Sequence, residues 1–193
     1  MLDRLKRRIA SKFYGFILYY TRDVSMQHQI QRLREQGMTI GQRVVIYDST
    51  FDAVYPWLIH IGNDCTITGS EILAHDDSAV IFTGQRQVGP IQIGNRVFIG
   101  RRSIIMQGVT IGSNVIVAAG AVVTKDVPDG MVVGGNSARI ISTVDEVCKR
   151  KEQSGRLIPH QFKSNLVEDE EDVEVSNLVR AWMLNGFRWR TSK

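Results

Sequence analysis

From Ile93 onward every sixth residue is aliphatic: Ile93, Ile99, Ile105, Ile111, Val117 and Val123. Ile, Leu and Val make up about a quarter of the chain, so six such hits in a row arise by chance roughly once in several thousand trials. The period matches neither the 3.6 of a helix nor the 2 of a simple strand. It fits short strands joined by tight corners, with one aliphatic side chain of each strand turned inward. The following position is mostly small (Gly94, Gly100, Gly112 and Ala118, against Met106 and Thr124), as a tight corner requires. A second column of mostly small apolar residues runs through Val97, Ser103, Val109, Val115, Ala121 and Val127. Three strands complete a coil of 18 residues. A single coil buries too little to stand alone, so the sequence predicts a stack of coils, an all-β solenoid. The open ends of such a stack are sheet edges and need covers.

The same phase is present earlier, at Ile61, Ile67 and Leu73 with Gly62 and Cys65 in register, and in a fragment from Ile40-Gly41 to Ile46. It fails twice. Ile46 to Ile61 is 15 residues, and Leu73 to Ile93 is 20. The second failure contains AHDDSAVIFTGQRQVGP, opened by His75. A long insertion in a regular solenoid is where function belongs, because coils carry stability and loops carry sites. Cys65 falls on an inward corner, where a small apolar residue belongs, and reads as structural.

Composition limits the remaining classes. With 193 residues, 43% hydrophobic and 23% charged, the chain has the balance of one globular domain with appendages, which excludes wholesale disorder. No run approaches 18 apolar residues; the run Phe13 to Tyr20 is too short to span a bilayer, and no signal peptide is expected. Two cysteines, Cys65 and Cys148, make neither a disulfide framework nor a zinc pattern, and a reducing cytoplasm is the expected location. The basic excess is confined to residues 1–36, with eight basic and three acidic side chains. That placement suits a membrane surface or an acidic partner, and no nucleic-acid partner is expected.

The segment IGNRVFIGRRSIIMQGVTIGSNVIVAAGAVVTKDVPDGMVVGGNSARII resembles the hexapeptide-repeat acyltransferases, in particular their sugar and xenobiotic O-acetyltransferase branch. The resemblance covers residues 38–142. It implies a left-handed parallel β-helix with flanking N- and C-terminal helices, acetyl-CoA as co-substrate without a metal, and a homotrimer with sites between subunits. It also implies that the histidine preceding the VFIG stretch is the general base; His75 lies 22 residues before Val97. Of the other histidines, His28 and His160 lie in the arms, and alternation turns His60 outward. A hydroxyl is a poor nucleophile until its proton is removed, and imidazole is well matched to that task near neutral pH.

By the same resemblance Ala119 contacts the pantetheine arm, and Thr124, Lys125 and Arg139 face the nucleotide end. Arg101, with Arg102 beside it, is a further candidate phosphate contact. Asp76 and Asp77 are candidates to orient the imidazole or bind a sugar hydroxyl. With Arg86 and Asp52 they make the candidate acceptor side, shaped by the 76–90 loop and the stretch Asp52 to Trp57. Two positions depart from the family pattern. Phe98 stands where a Trp is usual, and Gly135-Asn136-Ser137-Ala138 lacks the usual proline. The γ-carbonic anhydrases share this fold but need three zinc-binding histidines, and no second histidine lies near His75 in sequence or phase.

Three segments follow: an N-terminal amphipathic helical arm over 1–37, a β-helix acyltransferase domain over 38–142 with an inserted loop at 74–90, and a C-terminal helical tail over 143–193. In the arm, Leu2, Leu5, Ile9, Phe13, Phe16, Ile17 and Tyr20 make one apolar stripe beside a basic start. It either contacts a membrane peripherally or covers the first coil or a neighbouring subunit. A second short helix is expected to end near Gly37. In the tail, the acidic run Glu168 to Glu174 reads as a linker, and Ser176 as the cap of a last helix. The function expected is acetyl transfer to a sugar hydroxyl of a surface-polysaccharide or glycan precursor. An amino-sugar N-acetyltransferase and a non-catalytic scaffold are the alternatives.

Overall fold

The computed structural model describes residues 25–157. The stripe over 2–20, the acidic run and the helix capped by Ser176 lie outside the described residues.

The hexapeptides form short strands on three parallel faces. Sheet I contains β1 (Thr39–Ile40), β4 (Ile59–Ile61), β9 (Ile91–Ile93) and β12 (Thr110–Ile111). Sheet II stacks β2 (Val45–Tyr47), β5 (Thr66–Thr68), β10 (Phe98–Ile99), β13 (Ile116–Val117) and β15 (Met131–Gly134). Sheet III stacks β3 (Thr50–Phe51), β6 (Glu71–Ile72), β11 (Ile104–Ile105) and β14 (Val122–Val123). The chain visits I, II and III in turn, and every pairing between coils is parallel. The fold is a left-handed parallel β-helix.

Register carries the repeat into columns. Ile61, Ile93 and Ile111 align on sheet I, Ile67, Ile99 and Val117 on sheet II, and Ile72, Ile105 and Val123 on sheet III. All nine are buried, as are Val97, Ser103, Val109, Val115, Ala121 and Val127 of the second column. Each fully buried aliphatic side chain contributes about 1.5–3 kcal/mol relative to exposure, which lets strands of two or three residues persist. Cys65 is fully buried, its thiol donates to the Gly94 carbonyl at 3.1 Å, and burial pushes the thiol pKa up. His60 lies between the buried Ile59 and Ile61 with its side chain outward.

One position of the phase is corrected. Leu73 is only partly buried, and Ile72 holds the inward site opposite Ile105. The corner between sheets II and III is one residue shorter in the first two coils, so Phe51 follows Ile46, and Ile72 follows Ile67, by five residues and not six.

The corner between sheets I and II explains the glycines. A Cβ on Gly94 would lie 2.7 Å from the carbonyl carbon of Gly112, and one on Gly62 would lie 2.6 Å from the Gly94 oxygen. The coils meet backbone to backbone there.

Both ends of the described stack are covered. Helix α1 (25–35) sends Met26, Ile30 and Leu33 onto the core, and Arg34 donates to the carbonyls of Ile40 and Gly41. It ends as expected at Gly37, whose φ is +103°. At the other end β16 (Arg139–Thr143) folds back antiparallel on β15. Thr143 and Glu146 then form a reciprocal capping box at the start of a helix over Val144–Gln153, a signal legible in STVDE. By its contacts the chain divides into Met1–Val147 and Cys148–Lys193, and the second unit's described residues hold the end of that helix.

Candidate active site

Both failures of the period fall at the corner where sheet III passes to sheet I, in consecutive coils. The first insertion runs from Asp52, just after β3, to the short 3₁₀ turn Pro56–Leu58 before β4. The second follows β6. It holds the hairpin of β7 (His75–Asp76) and β8 (Gln87–Val88), with the helical turn α2 (Val80–Thr83) between them. Stacking therefore lays Asp52 beneath His75, 23 residues apart in sequence.

Asp52 is 4% exposed and its carboxylate is fully occupied. Oδ1 accepts the backbone N–H groups of Val54 at 2.9 Å and Tyr55 at 3.0 Å. Oδ2 accepts the Ala74 N–H at 2.9 Å and makes a short contact with His75 Nδ1. Burial pushes this carboxyl up, but the hydrogen bonds from Tyr55, His75 and Val54 outweigh it and hold the carboxyl below its ordinary value. An ionised Asp52 fixes the Nδ1–H tautomer by accepting a hydrogen bond from it, which leaves the lone pair on Nε2. The imidazole side chain is 23% exposed.

The outer side of the imidazole is also built. Asp77 Oδ2 lies 3.9 Å from Nε2. Arg86 pairs bidentately with Asp77, through a short Nε contact and through Nη2 at 2.7 Å, and its Nη1 donates to the Tyr55 hydroxyl at 3.2 Å. The Tyr55 ring meets His75 edge-on at 5.5 Å and Trp57 at 5.6 Å. Tyr55 carries no periodic signal and was visible in sequence only as part of the first insertion. Asp76 turns away to accept the Ser78 N–H at 2.7 Å, a bond that holds its carboxyl low.

The residues assigned from sequence to the two substrates divide among corners. His75, Asp52, Asp77 and Arg86 come together. Thr124 and Lys125 turn the same III-to-I corner two coils further on, roughly 10 Å along the stack at the usual strand spacing. Arg101 and Ala119 lie in adjacent coils at the II-to-III corner, where the Gly120 N–H donates to the Arg101 carbonyl at 2.8 Å. Arg139 opens β16. All five are exposed. A surface depression lined by Asp64, Thr66, Arg96, Val97 and Phe98 lies on the sheet II side, away from His75.

Comparison with known proteins places this architecture. A family model described as a hexapeptide repeat of succinyl-transferase matches residues 90–125. Protein CapG of Staphylococcus aureus is 44% identical over 124 residues, covering 59% of this chain and 70% of that protein. The chain belongs to the hexapeptide-repeat acetyltransferase family. YvoF of Bacillus subtilis, named as a candidate acetyltransferase, is 41% identical over 105 residues, 53% of this chain. The match spans only 58% of the length of that relative. Galactoside O-acetyltransferase of Escherichia coli is 27% identical over 73% of this chain and 81% of its own. Among solved structures, a Vibrio cholerae hexapeptide-repeat acetyltransferase in complex with acetyl-CoA superposes with a TM-score of 0.50. It shares 29% identity over 56% of this chain and 61% of that one.

Proposed function

We propose that this member of the family is an acetyl-CoA-dependent O-acetyltransferase whose acceptor is a sugar hydroxyl of a glycan or surface-polysaccharide precursor. The observation that carries the reading is the Asp52–His75 pair, formed where the two insertions stack. Nε2 of His75 takes the hydroxyl proton as the oxygen attacks the thioester carbonyl, and the buried Asp52 carboxylate steadies the imidazolium that forms. The tetrahedral oxyanion collapses, the C–S bond breaks, and the proton passes to the departing coenzyme A thiolate. The resemblance to a galactoside O-acetyltransferase supports a hydroxyl acceptor, and the acetyl-CoA complex of the Vibrio relative supports the donor.

In this reading Ala119, Thr124, Lys125, Arg101 and Arg139 bind coenzyme A, and Asp77 and Arg86 border the acceptor side. The spread of these residues over two corners favours a site shared between chains of a homotrimer. On the same reading the enzyme acts in the cytoplasm, and the basic, apolar-striped sequence over 2–20 supports peripheral contact with a membrane. A second reading, N-acetylation of an amine, is favoured by a Clostridium perfringens tetrahydropyridine-dicarboxylate N-acetyltransferase that is 50% identical over 62 residues.

The test is thiol release from acetyl-CoA across a panel of sugars and amino sugars, with His75→Ala as the blank. Sugar-dependent turnover that drops by about 10²–10⁴-fold in His75→Ala is expected. Turnover with amines alone would replace the first reading by the second. Full activity in His75→Ala would remove the base assignment.

A further inference from the structure

Beyond the Asp52–His75 pair stands a second carboxylate. The oxygen of Asp77 nearest Nε2 is the one that Arg86 Nη2 binds at 2.7 Å, and it stops 3.9 Å short of the imidazole. Arg86 is itself held from the other side, by the Tyr55 hydroxyl at 3.2 Å and by the Tyr55 ring, whose centroid lies 5.7 Å from the guanidinium carbon. Tyr55 packs against His75, so the guanidinium hangs from the same wall as the base.

We propose that Arg86 is a positioning residue: by holding Asp77 in a bidentate pair braced on Tyr55, it keeps a second carboxylate from closing on Nε2 and so keeps His75 able to work as a base. The proposal rests on the reading of His75 as that base. An imidazole between two free carboxylates is stabilised in its protonated form by both. It then neither accepts the acceptor's proton nor exposes Nε2. Among the described residues, the charged and titratable groups that face His75 are these. Asp52 lies behind it, Tyr55 at its edge, Asp77 and Arg86 in front, and Asp76 on the same strand with its carboxylate committed to the Ser78 N–H. Of these, only Asp77 both lies near Nε2 and depends on another side chain for its place.

The sign of the effect differs between the two partners, which separates this role from simple bracing of the loop. Removing Arg86 frees a negative charge beside the imidazole and favours the imidazolium. Removing Asp77 leaves a positive charge there and disfavours it. The experiment is an NMR titration of the full-length ¹⁵N-histidine-labelled protein without substrates, with the His75 signals assigned by their loss in His75→Ala. The midpoint is expected to move to higher pH in Arg86→Gln, to lower pH in Asp77→Asn, and back to the wild-type position in the double variant. Shifts of the same sign in the two single variants, or none in either, overturn the assignment. If Arg86→Gln does not fold, an upward or absent shift in Asp77→Asn alone overturns it. The His75→Ala activity assay is read separately. If His75 is dispensable, the base reading falls; if it is essential and the titrations fail, only the role of Arg86 falls.

Discussion

His75 sits in a position that a single buried carboxylate defines. Asp52 spends three hydrogen bonds on backbone N–H groups and its fourth contact on Nδ1, so it anchors the loop and selects the tautomer at once. Asp52→Asn keeps the shape but puts an amide where an ionised acceptor was needed. We expect turnover to fall by about 10²-fold or more while calorimetric binding of acetyl-CoA is unchanged. The same bonds make Asp52 an acid-side stability device. Its carboxyl is held lower in the folded chain than in the unfolded one, so the folded state binds fewer protons in acid. That stabilisation is present above the ordinary Asp range, near pH 4, and is lost as pH falls through the folded value. Urea unfolding followed from about pH 5 downward is expected to lose stability more steeply in wild type than in Asp52→Asn. Equal slopes would show that Asp52 is not held low. In the proposed coenzyme A site, Lys125→Ala is expected to weaken acetyl-CoA binding by about two- to fivefold in calorimetry, the contribution of one exposed charge.

The strands are too short to be stable alone, and the corners decide how closely they stack. At the I-to-II corner the approach leaves no room for a side chain on Gly94, whose added Cβ would meet Gly112 at 2.7 Å. Gly94→Ala must push two coils apart and is expected to cost about 1–3 kcal/mol, read as a fall in melting temperature. Gly108→Ala is the useful contrast, because its φ of +78° is strained for alanine but its surroundings are open. It should cost about 1 kcal/mol, the backbone contribution alone. A larger loss for Gly108→Ala than for Gly94→Ala would contradict the close-approach argument. The III-to-I corner shows the opposite design. It accommodates insertions of different length while Phe51, Ile72 and Ile105 keep their register, and the residues that leave the coil there include the buried Asp52 and Ala74.

For the whole molecule, the arrangement of candidate residues on two corners bears on assembly. His75 with Thr124 and Lys125 borders one corner, and Arg101 with Ala119 borders another. A prism that pairs unlike corners of neighbouring chains brings both sets to one site, and a ring of three closes that arrangement by rotation. Sedimentation of the full chain is expected to give a species of three times its 21.8 kDa mass. A monomer that turns over acetyl-CoA at the full rate would refute the shared site. Among the described residues no helix is long and apolar enough to cross a membrane.

The solenoid was legible because its signal is local and repeated. Each hexapeptide must turn an aliphatic side chain inward and a small residue at the corner, so Ile93 to Val123 disclose the columns without knowledge of any contact. The same locality pointed to His75, at the mouth of an insertion, and to Cys65 as core. Leu73 was misplaced by one residue because the shorter II-to-III corners of the early coils leave no mark in composition. The pairing of His75 with Asp52, and the brace of Arg86 on Tyr55, were decided only by the tertiary structure. They depend on which corner each insertion leaves from, and that follows from adding up every turn in between. A period reveals a repeating unit; the angular sum of the units, which closes three strands into a coil, determines which interruptions meet.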